Sequence, residues 1–534
     1  MVNLLINFSS IAHTTLIYNV KGHSINQHKL LNFSALAFAN GKIVAVGEQK
    51  KLLNKFPNAM KIDGKGQSLL PGLHDAHGHV LSLARMNNEV NLTGATSVQM
   101  CLDRIQSFID QHPEKKWVLG RGWNQALWKN HQFPTAKDLD SLNTDKLIWL
   151  RRIDGHAAWA NSVAMKFANT HAFSNPIEGG EIMVDKEGKQ TGIFIDNAMN
   201  IVNKSIMRDD DIRSLLVTTL NYLATLGITA VDDAGIDKQT YHAYRDLADE
   251  KKLPIRVNAM LASEASALAK MLNKPYADEF LQIRTIKYML DGALGSRGAA
   301  LLAPYSDRPN KSGKLVQSQA FLEKTIFAHA KDGWQAAIHA IGDKANHIAL
   351  QVLSDKRALS IKNRNRIEHA QVVALEDLDK FTTHAIIASM QPTHATSDKN
   401  MAQRRIGKQR LKGAYAWKTL LDKGVTLAFG SDFPVEFPNP FYGIHAAVTR
   451  QDHDNQPVGG WIPAQRISLT QAFSAFTIDA AFANRQEDKI GSLEVGKNAD
   501  FILLNQDIFS IDAQHIWRTK VLQTWVAGKK LYQR

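Results

Sequence analysis

His77 and His79 stand two residues apart at the point where an apolar run ending in Leu73 gives way to His74-Asp75-Ala76-His77-Gly78-His79. Residues two apart on a strand face the same way, so two imidazoles at one strand end can bind a single metal ion. A chain with 20 histidines will contain such a pair by chance, and this pair gains weight only from residues further along the chain. Later strand-like runs carry the same residue types near their ends: Lys287 within 285–289, His339 closing 335–339, His369 closing 366–369, and Asp432 just after 426–429. The single cysteine, Cys101, excludes an intrachain disulfide and a thiolate cage, so any metal must be held by nitrogen and oxygen ligands.

Four histidines, a lysine and an aspartate so dispersed form one site only if the runs that carry them close into one barrel. Further strand-like runs lie at 228–231, 255–259 and 386–390, and with the strand that ends at His77 and His79 they make eight, separated by helix-like stretches. That alternation is the pattern of a parallel sheet with crossover helices. The fold class is therefore α/β, and eight strands suit a closed (β/α)8 TIM barrel better than a doubly wound sheet. No Gly-x-Gly-x-x-Gly follows the first strand to suggest dinucleotide binding. In such a barrel catalytic groups project from the C-terminal ends of the strands.

One connection is far longer than the rest. From about Leu81 to Thr225 the chain carries Trp117, Trp123, Trp128, Trp149 and Trp159. An insertion after the first strand must lie over the C-terminal mouth, where it can wall a substrate pocket, although core packing accounts for most of its tryptophans. At the two chain ends the texture changes to short strands and tight turns. The runs 35–39 and 42–46 flank Asn40-Gly41, the pair required by a two-residue hairpin, and similar runs occur at 499–504 and 521–526. Neither end has enough sheet to be stable alone, so the two are expected to combine. The expected organisation is 1–70 and 486–534 forming one small β domain around a barrel at 71–485, with the insertion at about 81–225.

Composition is globular, with 44% apolar and 22% charged residues. The net charge of +13 requires anionic partners to be considered, but the basic residues are spread along the chain and form no nucleic-acid motif. The tightest cluster, Arg404, Arg405, Lys408, Arg410 and Lys412, reads as a solvated helix face or as a contact for an acidic substrate group. No run approaches ~18 apolar residues, and the N-terminus has no basic n-region or small-residue cleavage site. The expectation is a cytoplasmic enzyme with no membrane span and no nucleic-acid partner.

The motifs Pro71 to His79, Asp291-Gly292-Ala293-Leu294-Gly295-Ser296-Arg297, His339-Ala340-Ile341-Gly342-Asp343 and Gly430-Ser431-Asp432-Phe433-Pro434 resemble signatures of the amidohydrolase superfamily. More narrowly, they resemble its amidohydrolase 3 branch, which includes YtcJ-like proteins and N-substituted formamide deformylases. Gly120-Arg121-Gly122-Trp123 and Arg152-Ile153-Asp154-Gly155-His156 are similar to that branch as well. The resemblance spans essentially the whole chain and implies a metal-dependent hydrolase on a barrel with an appended β-sandwich. It implies one or two divalent ions, zinc foremost: His77 and His79 on the more buried ion, His339 and His369 on the more exposed one, Asp432 completing the site. Lys287 would bridge the ions as a carbamate formed with carbon dioxide, because a bare ammonium is no ligand. An ordinary lysine paired with a carboxylate such as Asp291, and a site with one metal, stay open beside that reading.

Lying in the insertion, His156 reads either as a group that polarises substrate or binds its carboxylate, or as a structural histidine. Trp123, Arg152, Asp291 and Arg297 are weaker candidates for substrate contact. By strand alternation His74 should face the helix layer, away from His77 and His79. Metal-activated hydroxide would attack a carbonyl, with Asp432 taking the water proton and passing it to the departing nitrogen. The expected substrate is a small molecule with a linear amide, N-acyl or N-formyl bond; a cyclic amide or a deaminase substrate is the alternative within the same chemistry. A noncatalytic regulator or nucleic-acid binder on the same scaffold is the alternative outside it. A homodimer is compatible with all of these.

Overall fold

The computed structural model describes residues 14–26, 29–86, 88–174, 176–206, 208 and 210–534. Eight parallel strands follow one another around a barrel: β1 (Leu73–Gly78), β2 (Ile228–Ile236), β3 (Arg256–Ala262), β4 (Leu281–Met289), β5 (Gln335–Ala340), β6 (Arg366–His369), β7 (Ile387–Met390) and β8 (Leu427–Phe429). The spatial order is the chain order, as a (β/α)8 barrel requires. The seam between β8 and β1 is made just beyond the strand ends, where Asp432 N–H donates to His77 O at 2.7 Å and His79 N–H to Phe433 O at 2.8 Å. Gly430 permits that approach, because a Cβ there would lie 2.4 Å from His77 N.

The eight runs expected from sequence all fall on barrel strands, and β6 has the expected limits. β2 is longer than expected, running on through Asp232 and Asp233 to Ile236. Both carboxylates are buried and partnered, Asp232 by Arg366 and Asp233 by the Tyr244 hydroxyl at 2.6 Å, so neither ends the strand. Helices of the outer layer, among them Ile212–Thr225, Lys238–Asp249 and Gln319–Ala330, begin at Asp211, Asp237 and Ser318, whose side chains accept from N3 amides. Each such cap contributes about 1 kcal/mol. Their apolar faces, with Leu220, Tyr244 and Leu322, join the strand residues Val231, Leu261 and Ile286 in one continuous core.

The barrel interior is closed from below by helix Ile478–Ala483, whose Ala480 and Ala483 pack on Ala76, Ile387 and Ala428. Above that plug the interior is polar. Arg366, fully buried, pairs with Asp232 at 2.8 Å and Glu368 at 2.5 Å and donates to Ala76 O and Ser389 Oγ. His74 joins this network, its Nε2 lying 2.9 Å from Asp232 Oδ1, which corrects the expectation that it faces the helices. The cause is irregular pairing: the β1–β2 register shifts twice, between Ile228 and Ala230 and between Val231 and Asp233, so strict two-residue alternation fails.

Two further sheets complete the fold. Both chain ends contribute to one eight-stranded sheet in which Lys529–Gln533, Val521–Val526, Phe501–Leu504, Ser68–Pro71, Thr15–Asn26, Lys29–Ala39 and Lys42–Gly47 pair in that order, with Met60–Asp63 beside Thr15–Asn26. Its hairpin turns at Asn40 (φ 50°) and Gly41 (φ 75°), as the dipeptide requires. After β1 a six-stranded sheet runs from Val90–Asn91 through Trp117–Trp123, Leu147–Arg152, Ala157–Ala160 and Gln190–Asp196 to Gly180–Val184. It is anchored over the barrel mouth by contacts such as Lys311 to Glu181 at 2.7 Å, and the His156 and His339 rings lie 5.1 Å apart. Among the described residues no helix is long and apolar enough to cross a membrane.

Candidate metal centre and active site

At the mouth of the barrel the ends of β1, β6 and β8 bring His77, His79, His369 and Asp432 together. His79 Nε2 lies 3.1 Å and His77 Nε2 3.6 Å from Asp432 Oδ1. The ring of His369 is 4.9 Å from that of His77 and 4.6 Å from that of His339. Two of these residues sit on left-handed backbone, His369 at φ 73° and Asp432 at φ 60°. Such conformations cost about 1–3 kcal/mol each and persist where surrounding structure imposes them. At β6 the left-handed turn lets Glu368 bond to His77 while its neighbour His369 also faces the site, which alternation alone would forbid.

Each imidazole is oriented through one nitrogen. His77 Nδ1 is bonded to Glu368, His79 Nδ1 lies 2.9 Å from Ala234 O, and His369 Nδ1 lies 2.7 Å from Gln391 Oε1. That leaves Nε2 for the centre in all three, the arrangement by which carboxylates and carbonyls set the tautomer of a metal-binding histidine. Burial holds His77 below the usual imidazole range, and burial together with neighbouring cationic groups holds His339 and His369 well below it. Neutral imidazole is the ligating form. Burial alone would raise the Asp432 carboxyl, but the bond from His79 and the surrounding imidazoles keep it well below its ordinary value, hence ionised.

Two sets of three ligand atoms lie within 4.8 Å of one another: His77, His79 and Asp432, and His369, His394 and Asp432. The buried Nε2 atoms of His77, His339 and His394 have no hydrogen-bond partner. Those of His77 and His394 lie 3.6 and 3.5 Å from the one carboxylate of Asp432, an arrangement that fits a divalent cation of the borderline type. His394 was not expected from sequence. It lies in helix Pro392–Asp398, directly after β7, and the available signal was a histidine four residues past a strand that otherwise lacked a ligand. Glu368 was missed as well, although Arg366 and Glu368 at i and i+2 of a buried strand should have announced an interior ion pair.

The second triad thus takes His394 where His339 was expected; His339 lines the same cavity with its Nε2 3.5 Å from Asp291 Oδ1. Lys287, 3% exposed, also faces the cavity, and burial lowers its ammonium. Its Nζ lies 3.7 Å from Met289 Sδ, so the pairing with Asp291 weighed from sequence does not occur. Asp291 is no substrate contact either: fully buried, it accepts N–H bonds from Ala300, Ile341 and Gly342 at 2.8–3.0 Å and so fixes the loops after β4 and β5. Trp123 belongs to the insertion core, donating to Leu150 O and packing on Trp128, Phe133 and Trp159. Arg297 is spent on Asp307 at 2.9 Å. Arg152 does line the cavity, but its guanidinium is held by Asp154, Gln125 and Asn124.

The cavity above the metal-type residues measures about 660 Å³, the size of a small-molecule site. His156 enters it from the insertion, its Nδ1 bonded to Asp196 Oδ1 at 2.7 Å. Burial would depress this imidazole, but the bond and charge of Asp196 outweigh it and raise its pKa.

A profile described as the amidohydrolase family matches residues 61–532. The chain belongs to this family. Among relatives of this amidohydrolase, the Arabidopsis thaliana protein LONG AFTER FAR-RED 3 is 34% identical, the match covering 93% of this chain and 88% of that protein. An N-substituted formamide deformylase of Arthrobacter pascens is 24% identical over 94% of this chain and 95% of that protein. Among solved structures, a metal-dependent hydrolase of uncharacterised role from Pyrococcus horikoshii superposes with a TM-score of 0.76 at 27% identity, covering 94% of this chain and 99% of that one.

Proposed function

We propose that the protein hydrolyses a carbon-nitrogen bond other than a peptide bond, in a linear amide of the N-acyl or N-formyl kind, at a divalent metal centre of which zinc is the foremost candidate. The observation that carries the reading is the set of imidazoles anchored through Nδ1, with Nε2 turned toward one shared, ionised carboxylate. His77, His79 and Asp432 would hold one ion, and His369 and Asp432, with His394 or His339, a second; Lys287 would join them if carboxylated. A bound ion of this type supplies a Lewis acid and, by lowering the pKa of water from ~15.7 toward ~7, a nucleophile at neutral pH.

The chain's own residues supply the rest. Asp432, ionised, takes the proton of the attacking water; as the carbon-nitrogen bond breaks, that proton goes to the departing nitrogen, which cannot leave as an amine anion. The products are a carboxylic acid and an amine. His156, held by Asp196, faces the same cavity and would donate a hydrogen bond to the carbonyl oxygen as negative charge develops there. The 660 Å³ enclosure between barrel and insertion selects the substrate.

The test is a screen of chelator-treated protein, reloaded with zinc, manganese or cobalt, against N-formyl and N-acyl amides, cyclic imides and aminated heterocycles. Metal-dependent release of amine from a linear amide is expected. Turnover of cyclic imides or ammonia release alone would replace the linear-amide reading with a cyclic-amide hydrolase or a deaminase. The outcome that would falsify hydrolysis altogether is an absence of turnover across the panel with both metal sites filled.

A further inference from the structure

Two cavity-lining arginines, Arg121 and Arg151, make no ion pair among the described residues. Arg121 and Arg151 are direct register partners on the adjacent parallel strands Trp117–Trp123 and Leu147–Arg152, so their side chains leave the same face of the insertion sheet. Both line the cavity that holds His79, His369 and Asp432. Like charges placed side by side on a sheet repel. Burial, and then Arg121, pull the Arg151 guanidinium down to about 10, which leaves it charged at neutral pH.

The nearby carboxylates are committed elsewhere: Asp432, whose charge reaches Arg121, to His79 at 3.1 Å, Asp154 to Arg152, Glu89 to Arg208 at 2.7 Å, Asp210 to Arg85 at 2.6 Å and Asp196 to His156. Arg121 spends Nε and Nη2 on Ile153 O at 3.2 and 2.8 Å, which holds its fork in place. The Arg151 side chain makes no hydrogen bond or ion pair among the described residues. Adjacent guanidinium groups with unused donors, one of them held in place, suit recognition of an oxyanion.

We propose that Arg121 and Arg151 bind an anionic oxygen group of the substrate, a carboxylate or a phosphonate-like group, so that the compound hydrolysed is an N-acyl amino acid or a close anionic analogue. This inference rests on the hydrolase reading for the identity of the compound, but not for the binding of the anion. It gives a role to the guanidinium pair that the insertion sheet places on the cavity wall. Arg151 is the residue to vary, because Arg121 also anchors the backbone at Ile153.

The experiment uses the zinc-loaded full chain and its Arg151→Gln and Arg151→Lys variants, with N-acylglycines, the matching neutral N-acylglycinamides and an N-acylaminomethylphosphonate. Turnover is expected to favour an anionic compound over its neutral partner, and Arg151→Gln to lower kcat/KM for that compound roughly 10- to 100-fold, as for loss of a charge-assisted bond. The neutral partner should change less than about threefold, and Arg151→Lys should recover part of the loss. Preference for the carboxylate or the phosphonate identifies which group is recognised.

Thermal shift with the same compounds gives a readout independent of turnover. Anion-dependent stabilisation of the native chain, absent in Arg151→Gln, upholds the anion site even if none of these compounds is hydrolysed; the hydrolase reading is then decided separately, by the wider amide panel. Equal turnover of charged and neutral partners, unaffected by Arg151→Gln, overturns the anion site and leaves the hydrolase reading intact. Absence of both discrimination and stabilisation overturns it as well.

Discussion

Replacing Glu368 by glutamine probes the link between the metal-type histidines and the barrel interior. Glu368 is fully buried, holds Arg366 Nε at 2.5 Å and bonds to His77 Nδ1. Glutamine keeps the shape and one acceptor but removes the charge. Breaking a buried ion pair from one side costs about 3–5 kcal/mol. Arg366 would still have Asp232 at 2.8 Å, Ala76 O at 2.6 Å and Ser389 Oγ at 2.7 Å, so the expected loss is at the lower end, about 3 kcal/mol. The second effect is on the centre: losing the group that orients a ligating imidazole weakens metal binding about 10- to 100-fold. Guanidinium unfolding of chelator-treated protein reads the first effect, and zinc competition against a chromophoric chelator reads the second. A double substitution of Arg366 and Glu368 by methionine should cost more stability than Glu368→Gln, since it also strips buried Asp232 of its guanidinium partner. If Glu368→Gln unfolds within about 0.5 kcal/mol of the native chain and binds zinc unchanged, the coupling between this ion pair and His77 is refuted.

Asp432→Asn should lower turnover by at least ~10²-fold while leaving the circular dichroism spectrum unchanged, because the shuttle loses its basic form; near-native activity in a folded variant would dismiss the assignment. His394→Ala should reduce the zinc content measured by plasma mass spectrometry by one ion per chain without emptying the His77–His79 site; an unchanged content would show that His394 is no ligand. Burial raises the Asp233 carboxyl from 3.8 to about 6, against the bond from Tyr244. The folded chain therefore keeps a proton that the unfolded chain loses between about pH 4 and 6, so this group makes stability fall as pH rises through that window, by up to about 3 kcal/mol. Asp233→Asn should flatten that part of the stability profile of the chelator-treated protein, and parallel profiles for the two proteins would reject the assignment.

The barrel was legible because each strand is a short apolar run bounded by breakers, and the parallel sheet buries such runs on both faces. What alternation could not supply was the behaviour of β1 and β6, the two strands that carry most of the centre. The register of β1 shifts twice against β2, which turns His74 inward, and the positive φ of His369 lets consecutive residues serve one site. Neither feature has a local signature. Asp232 and Asp233 looked like the end of a strand because their partners, Arg366 and Tyr244, are brought in only by the closed barrel. Trp123, Asp291 and Arg297 lie in motifs of the kind that suggest chemistry, yet each is consumed in building the walls: an aromatic core, a loop clamp and an ion pair with Asp307. Spacing along the chain showed which residue types recur at strand ends; it did not show which side chains have atoms left over.

Closing the barrel and assembling the centre are one event. The seam between the first and last strands is stitched by Asp75 and Ser431, 356 residues apart, and by the backbones of His77, His79, Asp432 and Phe433. A link of that sequence separation is costly to close and is rewarded only when the intervening strands are in place. The ligand side chains grow from the stitches themselves, so they cannot reach one another in a barrel left open at that edge. A cation held by His77, His79 and Asp432 binds only the closed form, and by mass action it stabilises that form by RT ln(1 + c/Kd), where c is the free ion concentration. The strained backbone at Asp432 and His369 and the buried Arg366 network weigh against folding, and they sit where a bound ion would repay them. That distribution makes the seam the place where the chain trades stability for a centre whose ligands need no rearrangement to act.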